Sequence, residues 1–153
     1  MSVSGTVGAA MSRVVLTPGP RRATITLWCL GAGLAAATGL LSVARSEPVY
    51  GLVYGAVAAG LIVLAFAMHR GVRVAHWLSI ALLGSQIFGA LGAAWELRRP
   101  DMGSAKARHL RDLGVNYRWA LLANMLYSLV AGLVFIWAVR SMAASSSKTD
   151  ASR

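Results

Sequence analysis

Charged side chains are missing from four stretches of this chain, and each stretch is long enough to cross a bilayer. Positions 23–44, 48–69, 74–95 and 119–139 contain no Asp, Glu, Lys or Arg. Together they cover more than half of the 153 residues, so every charge is confined to the remainder. A helix spanning a hydrocarbon layer about 30 Å thick needs about 20 predominantly apolar residues. The pattern predicts an all-α, polytopic membrane protein with four transmembrane helices in an antiparallel up-down bundle. With 57% apolar and 13% charged residues, the composition argues against both a disordered chain and an ordinary soluble domain.

The segments between the runs are short, with one exception. Arg45, Ser46 and Glu47 link the first span to the second, and Arg70, Gly71, Val72 and Arg73 link the second to the third. Both links have room only for an antiparallel turn. The third link, 96–118, is much longer and has space for structure of its own. Pro100 and Asp101 should end the third helix, and Ser104 can cap a short helix reaching about Gly114. Ala107, Leu110 and Leu113 share one face of it, with Lys106, Arg108, His109 and Arg111 on the others, so it should lie along the headgroup layer. Residues 1–22 read as a flexible basic leader whose TPGP stretch, 17–20, breaks any helix, and Met11-Ser12 offers a second start. Ser42-Val43-Ala44 resembles a small-residue cleavage site, but the preceding run is longer than the usual signal-peptide core of about 7–15 residues, which favours a retained helix. The Ser- and Ala-rich tail, 141–153, is expected to be disordered.

Tryptophan positions support the span assignment. Trp28, Trp77, Trp95, Trp119 and Trp137 all lie near an end of an apolar run. Indole favours the membrane interface because its body is apolar and its N–H needs a polar partner. Trp77 and Trp95 bracket most of the third span, and Trp119 and Trp137 bracket the fourth with the same spacing. At about 1.5 Å per residue either separation is roughly 27 Å, close to the hydrocarbon thickness. All five are read as interface anchors. With the N-terminus inside, the cytoplasmic side carries 8 Lys and Arg and the other side 7. Arg21 and Arg22 before the first span, against Arg45 balanced by Glu47 after it, then favour both termini in the cytoplasm of a plasma-membrane protein.

The net charge of +10 does not indicate nucleic-acid binding here, because the basic residues sit beside apolar runs, where they meet anionic lipid headgroups. The bilayer is the first partner. Helix association in lipid depends on close backbone approach and interhelical hydrogen bonds. Gly51, Gly55 and Ala59 recur at every fourth position in the second span, as do Ala81, Ser85, Gly89 and Ala93 in the third, and Gly31, Ala35 and Gly39 in the first. These stripes are candidate helix-packing surfaces, for the bundle, a homo-oligomer or a membrane protein partner. Gln86 and Ser128 each lie midway between two tryptophans, hence near the midplane, with Asn124 one turn from Ser128 and Tyr127 beside it. An amide facing lipid would leave hydrogen-bonding groups unmatched, so Gln86 should face the bundle and meet Asn124 or Ser128. This cluster has two readings, structural glue or a site for a small neutral solute.

Other chemistries find little support. Coupled transport and proton pumping use ionisable residues within the membrane, and the four runs have no Asp, Glu, Lys or Arg. Small four-helix multidrug exporters depend on a glutamate in their first helix that has no counterpart here. Haem needs axial ligands, whereas His69 and His76 flank the second link and His109 lies in the third, where all three read as interfacial side chains. Glu47, Glu96, Asp101, Asp112 and Asp150 are scattered, so Asp101, His109 and Asp112 read as a solvated loop. Cys29 has no partner for an intrachain disulfide. No catalytic, cofactor or metal residue is assigned.

The segment MHRGVRVAHWLSIALLG, 68–84, resembles the tight basic turn between the second and third helices of small four-helix membrane proteins of actinobacteria, which have no assigned activity. The resemblance implies the architecture of the four spans and their links, and no catalytic residue. Two functions follow as expectations. One is a non-enzymatic accessory or self-associating membrane subunit, and the other is a small permease for a neutral solute.

Overall fold

The computed structural model describes residues 16–98 and 104–150, with the backbone alone for 105, 106 and 144–150. It contains four long helices and one short one: α1 (Pro18–Ala44), α2 (Pro48–His69), α3 (Arg73–Arg98), α4 (Ala105–Asp112) and α5 (Tyr117–Asp150). The four long ones are apolar and long enough to span a bilayer. Leu40, Leu52 and Phe88 project outward, each more than 70% exposed. An apolar surface of that extent suits hydrocarbon rather than water. The chain is a multi-pass integral membrane protein.

The helices are organised as two antiparallel pairs. α1 packs closely along α2 and α3 along α5, while α1 with α5 and α2 with α3 touch over much shorter stretches. In the first pair the backbones meet at glycines. A β-carbon built on Gly39 would lie 3.3 Å from the Gly51 carbonyl oxygen and 3.6 Å from the Gly55 amide nitrogen. In the second pair, Leu83 and Ala90 of α3 are buried with Ser128 and Ala131 of α5, and Gly84 admits the Phe135 ring. The pairs join through a core of Leu27, Trp28, Met68, Ala75 and Leu83 at the end of the bundle where the described chain begins. A smaller core of Ala107, Tyr117 and Leu121 forms at the opposite end, beneath α4.

Helix ends follow local chemistry. Pro18 opens α1, so the TPGP stretch begins a helix instead of breaking one. A proline in the first turn removes only an amide that has no helical partner, and its fixed φ already suits the helix. Only residues 16–22 of the expected leader are described; 1–15 and the alternative start at Met11 lie outside the described residues. At the other terminus α5 continues to Asp150, well beyond the apolar run, where a disordered tail was expected. Thr17 donates to Ser141 at 3.1 Å and ties this extension to the start of α1.

Three turns reverse the chain after a residue of positive φ: Ser46 (63°), Gly71 (75°) and Gly114 (75°). In each, the following amide bonds back to a carbonyl in the last turn of the preceding helix, Glu47 to Ser42, Val72 to Ala67 and Val115 to Leu110. Glycine takes this conformation freely, whereas serine carries a steric cost. Ser46→Gly is therefore expected to stabilise the protein by roughly 0.5–1 kcal/mol, net of the added unfolded-state entropy. Unfolding by dodecyl sulfate titration would read it, and a lowered midpoint would contradict the account.

Candidate functional site

Because the pairs touch sparingly, a cleft of about 510 Å³ lies between them. Its walls are largely apolar, with Leu34, Val57, Leu61 and Leu121 among them, and among the described residues no Asp, Glu, Lys or Arg lines it. Hydrogen-bonding side chains reach it from all four spans and from α4: Trp28, Thr38, Tyr54, Gln86, His109, Tyr117, Asn124 and Tyr127.

Gln86 is held by its neighbour across the α3–α5 contact. Ser128 Oγ donates to Gln86 Oε1 at 3.2 Å. Gly89 leaves room for the bond, since a β-carbon there would lie 3.3 Å from Ser128 Oγ. Tyr127 donates to the Leu27 carbonyl oxygen at 3.1 Å and links the two pairs. Gly31 is needed at this crossing: a β-carbon on it would stand 2.7 Å from the Tyr127 hydroxyl oxygen. Asn124 is exposed at the edge of the cleft and does not bond to Gln86.

Trp28 closes one end of the cleft. It was expected to anchor at the interface, but it is only 2% exposed, against 39–70% for Trp77, Trp95, Trp119 and Trp137. Its Nε1 donates to Ser79 Oγ at 3.0 Å, and that hydroxyl donates to Met68 Sδ at 2.8 Å. The indole N–H thus finds its polar partner within the protein, which removes the reason for it to face the headgroups. Trp137, by contrast, lies over the first turn of α1 beside Gly19.

His109 is the residue that sequence reasoning placed least well. It is 6% exposed, with Nδ1 2.5 Å from Glu47 Oε2, and its ring stacks on Tyr50 with centroids 4.0 Å apart. Arg45 donates to the Asp112 carbonyl oxygen at 2.7 Å, a cation at the C-terminal end of α4. The first link therefore holds α4 in place over the end of the cleft opposite Trp28. A lone Glu47 in a tight turn was the available signal, but its partner lies in the third link, beyond two intervening spans. His76 is also fully buried, not interfacial. Asp101 lies outside the described residues.

The small-residue stripes divide. Gly51 and Ala93 are buried within the protomer and Gly89 is half-buried, while Ala59 and Ser85 are exposed, and a β-carbon on Gly55 would meet nothing within 4 Å. The second stripe therefore packs within the chain through Gly51, and its remaining members turn outward. A spacing of every fourth position does not match the helical period of about 3.6, so such a stripe drifts around the helix.

Among the described residues, no three His, Cys, Asp or Glu side chains are grouped so as to hold a metal ion. The site is thus a mostly apolar cleft inside a four-span membrane protein, lined among the described residues by no Asp, Glu, Lys or Arg. The chain matches no protein-family model, no curated protein and no solved structure.

Proposed function

We propose that the protein is a non-enzymatic subunit of the plasma membrane, with both termini in the cytoplasm, that associates with a second copy of itself through the outer face of α2. The observation that carries this reading is the chemistry of that face. Gly55, Ala56, Ala59 and Gly60 are all exposed, framed by Leu52 and Val63. Small side chains directed at lipid forfeit contact area, whereas against another helix they let two backbones approach closely. Gly55→Leu with Ala59→Leu is expected to reduce crosslinked dimer in native membranes at least fivefold. Protomer stability should stay within about 0.5 kcal/mol, as for other changes at exposed sites. Undiminished crosslinking, or crosslinks only to a different protein, would reject self-association. The orientation rests on Arg21 and Arg22, and activity after residue 105 of a reporter that works only in the cytoplasm would reverse it.

A second reading, a small permease for a neutral solute, is favoured by the cleft, which Gln86, Asn124 and Tyr127 all line and which no Asp, Glu, Lys or Arg lines among the described residues.

A further inference from the structure

We propose that the cleft is a lateral binding site for an uncharged amphiphile taken from the bilayer, a molecule with an apolar body and a hydroxyl or carbonyl head. The inference rests on the second reading only in treating the cleft as a site; it assigns holding rather than passage.

The polar groups set the first requirement. Ser128 occupies Gln86 Oε1, which leaves the Gln86 amide N–H groups directed elsewhere. The Asn124 carboxamide has no hydrogen-bond partner among the described residues. Carboxamides near the midplane find no water in hydrocarbon, so leaving them unmatched is costly. An occupant with oxygen acceptors satisfies them. Trp28 and Tyr127, by contrast, already donate to Ser79 and to Leu27. The two amides are therefore the anchors.

The walls set the second requirement. Apolar side chains dominate, which suits a hydrocarbon body, and with no Asp, Glu, Lys or Arg lining it among the described residues, an ionic head finds no counter-charge there. A volume of about 510 Å³ falls among pockets that enclose drug-sized molecules. Access sets the third requirement. The buried Trp28–Ser79–Met68 chain closes one end, and α4, held by Glu47 and Arg45, covers the other. Leu34 and Val57 on the walls remain exposed, so the route in is sideways, from lipid.

Trp28 lines the cleft and provides a built-in reporter. In a full-length chain with Trp77, Trp95, Trp119 and Trp137 each replaced by Phe, reconstituted in phosphatidylcholine nanodiscs, dibromostearoyl monoacylglycerol should quench Trp28 saturably. Gln86→Leu with Asn124→Leu should raise the half-saturating fraction at least tenfold. Asn124→Ala, which adds no volume, should raise it at least threefold and serves if the double variant fails to elute as folded protein. Brominated phosphatidylcholine, or dibromostearate at alkaline pH, should quench at least tenfold less at equal mole fraction. Equal quenching by brominated phosphatidylcholine, or saturation indifferent to both variants, would overturn the proposal. Glycerol flux into proteoliposomes separates the two readings. Saturable quenching without flux supports the holding site and rejects the permease; Gln86-dependent flux without saturable quenching does the reverse.

Discussion

Gly51→Leu is expected to prevent α1 and α2 from closing, with a loss of about 3 kcal/mol or more, the upper end of the usual cost of overpacking. Even a single β-carbon at this position runs into the Val43 side chain and lies 3.3 Å from the Gly39 carbonyl oxygen. Gly39 faces the reciprocal constraint, its β-carbon position being 3.3 Å from the Gly51 carbonyl oxygen and 3.2 Å from Tyr54 Cβ. Backbone cannot move aside as a flexible side chain can. Inserting methylenes into a packed contact typically costs about 1–3 kcal/mol, and leucine adds a whole side chain. Hydrophobic burial offers no compensation, because the lipid that would solvate the separated helices is equally apolar. Dodecyl sulfate titration of Gly51→Leu beside Gly55→Leu gives the comparison: the first should unfold far earlier, and equal midpoints would refute the crossing.

Trp28→Ala is the second large expected effect, about 3–5 kcal/mol, the range for removing a buried aromatic side chain. The change leaves a cavity between the pairs and withdraws the donor from Ser79. Trp28→Phe keeps most of the ring volume and should cost about 1 kcal/mol more than volume alone, the net worth of an ordinary hydrogen bond. Trp95, 70% exposed, is the control. If Trp95→Ala destabilises as much as Trp28→Ala, the inward placement of Trp28 is wrong. Emission should agree: brominated phospholipid is expected to quench the other four indoles strongly and Trp28 weakly.

These two residues mark how far the sequence could be read. Position along a span was legible because length and hydropathy act along the helix axis. The second helix, Pro48–His69, begins and ends where its charge-free run does, since arginines flanking an apolar run are held at the interface. Short α4 was legible too, because its N-cap is a local signal: the Ser104 side chain accepts from the Ala107 amide at 3.2 Å. Direction around each span was not legible. The spans are apolar on every side, so a face turned to lipid and a face turned to another helix use the same residues. Trp28 sits near a run's end as the other tryptophans do, yet points inward. Gly55 shares a stripe with Gly51, yet looks outward.

The candidate site divides in the same way. Gln86 and Ser128 belonged together by depth, and they bond. Asn124 had equal claim by depth but lies at the edge of the cleft. His109 was grouped with its charged neighbours in the third link because its partners, Glu47 and Tyr50, come from the far side of the first turn. No local pattern encodes a meeting between side chains so far apart along the chain.

The amino-acid order alone determined that four helices are long and apolar enough to cross a membrane and where the charge-free run of each lies, because the cost of placing charge in hydrocarbon is local and is written residue by residue. Only the tertiary structure decided that the helices pair two by two and leave a largely apolar cleft with a few polar groups between the pairs. That outcome depends on which glycines meet, and on two pairs joined by an apolar core around Trp28 at one end and α4 at the other. Packing of that kind belongs to several segments at once and leaves no trace in any single one.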